Sequence, residues 1–161
     1  SVASRGLGDV YKRQAYMWQQ DDNLRRIFLS SMKRPSRREH FSYWRSKRGS
    51  RLDNTYSIYY GNIHVGQCGL DKYDAKEGSC GVWLYIGYSK HRGLGIGRET
   101  LRLLEIKARL KGISMLWLHV SRFNIPALKL YAKAGFNLKG NTTCTSVFNA
   151  DLEVVRMEKN L

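Results

Sequence analysis

Residues 82–97 read Val82-Trp-Leu-Tyr-Ile86-Gly-Tyr-Ser-Lys-His-Arg92-Gly-Leu-Gly-Ile-Gly97. The first five residues are continuously apolar, as expected of a strand covered on both faces. An amphipathic helix pattern follows from about Arg98 to Leu110, with Leu101, Leu104 and Ala108 as its stripe and Leu103, Ile106 and Leu110 broadening it. Between them, Gly93, Gly95 and Gly97 let the backbone approach a ligand without an intervening side chain. At the head of a helix, unpaired N–H groups and the positive dipole end make a phosphate site. Met115 to Val120 reads as a second buried strand, so strand, helix and strand imply a parallel, right-handed crossover.

Two common phosphate motifs do not fit. A P-loop needs Lys-Ser/Thr after its last glycine, whereas Gly97 is followed by Arg98-Glu99-Thr100. A dinucleotide fingerprint needs Gly-x-Gly-x-x-Gly, and the third glycine would fall on Arg98 or on Thr100.

Outward from this centre the chain alternates helices and strands. Asp21 or Asp22 caps a helix carrying Leu24, Ile27, Phe28 and Met32. Ser36-Arg-Arg-Glu39 is a capping box opening a second helix, with Phe41 and Trp44 inward, that ends at Gly49. Thr55–Tyr60 and Ile63–Leu70 read as strands joined by Gly61-Asn62, and Asp71 to Gly81 reads as a loop. Asn124 caps a short helix with Pro126 in its first turn and Gly135 at its end. Phe136–Lys139 and Leu152–Met157 are expected to close the sheet.

At 161 residues and 42% hydrophobic content the chain is a single globular domain with no apolar run of membrane-spanning length. Cys68, Cys80 and Cys144 follow no zinc-ligand spacing, which points to reduced packing cysteines, a cytoplasmic setting and no metal. The net charge of +15 favours an anionic partner and disfavours a polycationic one. Residues 1–14 show neither helical nor strand periodicity and resemble translated sequencing-adaptor stretches. They are set aside as a non-native leader, leaving 15–161 as the domain. Without Arg5, Asp9, Lys12 and Arg13 the net charge is still +13.

A second motif, Asn124-Ile-Pro-Ala127-Leu-Lys-Leu-Tyr131-Ala-Lys-Ala-Gly135-Phe136, follows the second buried strand. Together with Arg92-x-x-Gly95-x-Gly97, it resembles the GCN5-related N-acetyltransferase (GNAT) superfamily. The resemblance implies a single-domain α/β fold. Its central sheet would be mixed and mostly antiparallel, with a parallel splayed pair at the cofactor site and helices on both sides. It also implies an acetyl-CoA-dependent N-acetyltransferase acting on a primary amine.

In that family the backbone at the end of the strand before the loop holds the pantetheine arm and acetyl group; those positions match Ile86, Gly87 and Tyr88. Backbone amides of Arg92, Gly93, Leu94, Gly95, Ile96 and Gly97 would bind the pyrophosphate, with the Arg92 guanidinium assisting. Asn124 matches the contact to the cofactor's amide arm and serves equally as a helix cap. Tyr131 matches the general acid that protonates the departing thiolate. Relatives mostly carry a larger residue at Gly87, and a glycine there suits a strand bulge.

Many relatives place a carboxylate base on the strand before the loop, and Val82–Tyr88 contains none. His40, expected on the substrate side, Glu77, His119 and a water chain all remain candidates for that role. Trp18, Asp22, Arg25 and Ser36-x-x-Glu39-His40 resemble the subset that acetylates nucleotide-linked amino sugars, spermidine and ribosomal proteins.

The basic charge favours a small amine acceptor that is anionic overall, such as a nucleotide-linked amino sugar. The alternatives are a ribosomal protein, a polyamine, or a non-catalytic CoA- or RNA-binding module. Nucleic acid ranks below the small molecule as a partner because no RNA-binding motif is present. The chain is expected to be a monomer or homodimer, and to lack the family's first strand.

Overall fold

The computed structural model describes residues 2–3, 9–27, 34–46, 54–145 and 151–161. Its strands are β1 (Val2–Ala3), β2 (Asn54–Tyr60), β3 (Ile63–Asp74), β4 (Ser79–Ile86), β5 (Met115–Val120), β6 (Asn137–Thr145) and β7 (Asp151–Asn160). The helices are α1 (Asp9–Gln20), α2 (Asp22–Ile27), α3 (Arg37–Ser46), α4 (Ile96–Leu110) and α5 (Ile125–Lys133). The strands form one sheet in the order β1-β2-β3-β4-β5-β7-β6. Every pairing is antiparallel except β4 with β5.

The parallel pair decides where a ligand can enter. Its ladder holds three residue pairs, Ser79 with Met115, Cys80 with Leu116 and Gly81 with Trp117. Beyond Gly81 and Trp117 the two strands are unpaired with each other, so the sheet opens as a splay toward the C-terminal ends of both. The apolar run Val82–Ile86 lines one side of that opening.

Alternation along the strands sorts the two faces. Cys68, Leu70, Leu84, Leu116 and Leu118 join Leu101, Leu104 and Ala108 of α4 and Tyr131 of α5 in one core cluster. Gln67, Tyr85 and Trp117 alternate with those residues and face the other way, where α1 packs against β3. Cys68 and Cys80 are buried thiols outside any disulfide, and burial pushes the Cys68 thiol up to about 12.

Several boundaries differ from the sequence reading. Residues set aside as a leader supply β1, which pairs with β2, and the first half of α1, so the boundary at 14/15 falls within a helix. The helix before Asp21 carries Ala15 and Trp18 inward, and the expected helix at Asp21 is the short α2, capped by Asp21 Oδ1 accepting from Asn23 and Leu24 N–H. Phe28, Met32 and Gly49 lie outside the described residues.

The expected loop 71–81 is largely strand, because β3 and β4 continue to a tight turn around Gly78, which has φ +60°. Polar residues occupy this stretch where the hairpin runs past the core. The closing strands are longer than expected, for the same reason. The Ser36–Glu39 capping box and the Gly61-Asn62 turn form as expected.

Candidate active site

The glycine loop begins where β4 leaves the sheet. Gly87 N–H donates to Val65 O at 2.8 Å, a single 3₁₀ turn spans Ser89–His91, and α4 starts at Ile96. Gly93 and Gly95 have φ of +75° and +78°, which an L side chain tolerates poorly. A Cβ at either would meet nothing within 4 Å, so the space over them is open.

Gly95 is the N-cap of α4 and brings no side chain to satisfy the first-turn amides. Those amides and the helix dipole suit a pyrophosphate. Glu99 in the same turn is bound to Arg102 at 2.7 Å, which offsets its charge. Gly97 has a different reason to be small. A Cβ there would lie 3.0 Å from Leu130 Cδ2, so its role is to let α4 and α5 pack closely.

The Arg92 side chain turns back toward β4. Its Nε donates to Ile86 O at 3.2 Å and Nη2 to Gly87 O at 3.4 Å. The guanidinium thus sits at the end of β4, where Ile86 is the last residue paired with β3. Leu94 projects into solvent, whereas Ile96 packs against the core. Asn124 Oδ1 accepts from Ala127 N–H at 3.2 Å and caps α5.

Tyr131 lies on α5 next to Leu130, whose Cδ2 would sit 3.0 Å from a Cβ at Gly97. It is buried against Phe136, with ring centroids 5.9 Å apart, and burial pushes its phenol up to about 12. At neutral pH that hydroxyl is protonated.

Gly87 also owes its size to packing. A Cβ there would fall inside the indole of Trp18. Trp18 projects from α1 onto this backbone and stands nearly perpendicular to Tyr85 and Tyr88, at centroid distances of 5.8 and 5.4 Å. His64 Nδ1–H donates to Gln14 Oε1 at 2.9 Å, and Gln14 Nε2 donates to the Tyr88 hydroxyl at 2.5 Å. An aromatic wall therefore stands over the end of β4, opposite α4. The sequence reading placed Trp18 only as an upstream residue and missed Gln14 altogether. The unusual glycine at 87 was the available signal.

The base candidates do not converge on this point. His40 was expected on the substrate side but is buried between helices, its Nδ1 2.9 Å from Gln19 Oε1 and its ring 5.5 Å from Tyr16. Helical spacing puts Tyr16 and Gln19 on a different side of α1 from Trp18. Glu77 lies at the opposite end of β4 from the loop. His119 lies on β5 two residues beyond Trp117, and its level in the sheet falls short of Gly87 by four residues, about 13 Å. Burial and the Arg156 and Lys72 charges lower its pKa, which favours the neutral imidazole. Among the described residues no cluster of three or more His, Cys, Asp or Glu could hold a metal ion, and no helix is long and apolar enough to cross a membrane.

A sequence profile described as the acetyltransferase (GNAT) family matches residues 13–136. A streptothricin acetyltransferase from Streptomyces lavendulae is 44% identical over 50 residues, a match covering 31% of this chain and 26% of that protein. Among solved structures, spermidine N-acetyltransferase from Vibrio cholerae in complex with CoA and spermine superposes with a TM-score of 0.80 at 18% identity, covering 99% of this chain and 95% of that one. Aminoglycoside acetyltransferase AAC(6')-Ib in complex with coenzyme A gives a TM-score of 0.77 at 19% identity, with the same coverage of 99% and 95%. A domain from Methanocaldococcus jannaschii gives 0.79 at 18% identity, covering 100% and 99%.

Proposed function

The chain belongs to the acetyltransferase (GNAT) family, and from that premise we propose that it transfers the acetyl group of acetyl-CoA to a primary amine of a small molecule, a nucleotide-linked amino sugar. The observation that carries the reading is the splay. The parallel ladder stops at Gly81 and Trp117, beside a left-handed glycine loop that leaves the first turn of α4 uncapped.

Acetyl-CoA supplies an activated thioester. The backbone amides of residues 92–97 would hold its pyrophosphate, and the backbone of Ile86, Gly87 and Tyr88 would hold the arm that carries the acetyl group. The amine attacks the thioester carbonyl carbon, a C–N bond forms and the C–S bond breaks. Tyr131 O–H donates to the sulfur as negative charge develops there. The proton lost by the amine leaves through water, which agrees with the scattered positions of His40, Glu77 and His119. Asn124 orients α5 by its cap and would contact the cofactor's amide arm.

The acceptor side is a wall of Trp18, Tyr85 and Tyr88, suited to the apolar face of a sugar ring. The net charge of +15 favours a phosphate-bearing acceptor over a polycation. A second reading, acetylation of an antibiotic amine, is favoured by the stretch shared with the streptothricin acetyltransferase.

A thiol-release assay with acetyl-CoA separates the two. We expect the highest kcat/KM with a nucleotide-linked amino sugar, lower values with the free sugar, and lower still with spermidine. A panel led by spermidine or by a streptothricin overturns the amino-sugar reading.

A further inference from the structure

Beneath α1 the sheet carries a polar cluster that the acetyl transfer leaves unused. Ser57 on β2 and Gln67 on β3 are cross-strand partners, 1% and 0% exposed. Gln67 is also the partner of Tyr85 on β4, whose hydroxyl donates to Gln67 Oε1 at 2.5 Å. Among the described residues, the Ser57 hydroxyl and Gln67 Nε2 have no hydrogen-bond partner. Two buried polar groups left unmatched side by side cost a fold more than an ordinary hydrogen bond returns, and a ligand that matches them recovers that cost.

Their position fits an acceptor. Cross-strand partners share a sheet face, so Ser57, Gln67 and Tyr85 lie together on the face that Trp18 covers. Gly87 is two residues beyond Tyr85, about 7 Å along the strand. The core helices α4 and α5 hold the other face. An amine that reaches the end of β4 while acetyl-CoA is bound at α4 has to cross this one.

We propose that Gln67 Nε2 and the Ser57 hydroxyl are the specificity-determining groups of the acceptor site, binding a hydroxyl of a hydroxylated amine and selecting an amino sugar over a polyamine. This rests on the amino-sugar reading above and adds to it the residues that make the choice. A sugar hydroxyl is both acceptor and donor, so it takes the Gln67 N–H and gives its own proton to Ser57. A protonated polyamine offers only N–H donors and leaves the Gln67 amide facing another donor. The neighbours Gln14, His64 and Tyr88 bring no carboxylate to hold a second ammonium.

The test compares glucosamine, cyclohexylamine and spermidine as acceptors in the thiol-release assay, using the full chain with Ser57→Ala and Gln67→Leu. Each substitution is expected to raise the KM for glucosamine about tenfold, well beyond any change in the KM for cyclohexylamine, and to leave the KM for acetyl-CoA unchanged. Ser57→Ala is expected to hold or raise Tm, since it removes an unmatched hydroxyl. If Gln67→Leu does not fold, Ser57→Ala decides alone. Unchanged glucosamine KM in a folded variant overturns the proposal and leaves the amino-sugar reading standing. Wild-type turnover of spermidine in preference to every amino sugar overturns that reading, and this inference with it.

Discussion

Tyr131 and Gly87 show how differently single residues can be read. Tyr131 was legible because its neighbours Asn124, Ala127 and Gly135-Phe136 fix its place on a helix face. Burial then adds what sequence could not give, a phenol at about 12 that stays protonated throughout the working range. Tyr131→Phe is expected to lower kcat about 100-fold or more with little change in acetyl-CoA affinity, measured by steady-state kinetics beside equilibrium binding. The wild-type rate should climb with pH as the amine loses its proton and show no falling limb from Tyr131 below about pH 10. Such a limb that disappears in Tyr131→Phe would contradict the burial argument. Gly87 was legible only as an oddity, because its reason is the Trp18 indole, some seventy residues away in the chain.

At the scale of elements, the strand–loop–helix unit at 79–110 announced itself through local pattern. Its glycines are nevertheless unlike one another. Gly93 and Gly95 serve backbone conformation and open space, whereas Gly97 serves the contact with Leu130. Gly95→Ala should therefore weaken acetyl-CoA binding by tenfold or more at the N-terminus of α4. The backbone strain of about 1–2 kcal/mol would lower Tm by only a few degrees. Isothermal titration and thermal melts on the same sample check this, and unchanged affinity would remove the phosphate role from the loop. Helix α1 was the element missed. Its first half lies in residues with no strong apolar period, and it is held by tertiary partners such as His64 and Tyr88 rather than by propensity.

Across the whole molecule, protonation couples to stability through two strand histidines. Burial holds His64 below its ordinary 6.5, and burial with the Arg156 and Lys72 charges holds His119 below it too. The unfolded chain therefore takes up more protons as pH falls through 6.5. The stability both neutral rings contribute is present above that value and is lost on acidification toward their folded values. Tm is expected to fall between pH 7.5 and 5, less steeply in His64→Gln, and a pH-independent Tm would refute the linkage. The sequence by itself determined the fold family, the glycine loop and the place of Tyr131 on a helix, since short-range spacing and periodicity carry all three. Tertiary structure alone decided that His40 is buried between helices and that Trp18, Ser57, Gln67 and Tyr85 converge on one face of the sheet. Those residues come from α1, β2, β3 and β4, and strand pairing rather than chain proximity is what brings them within reach of one another.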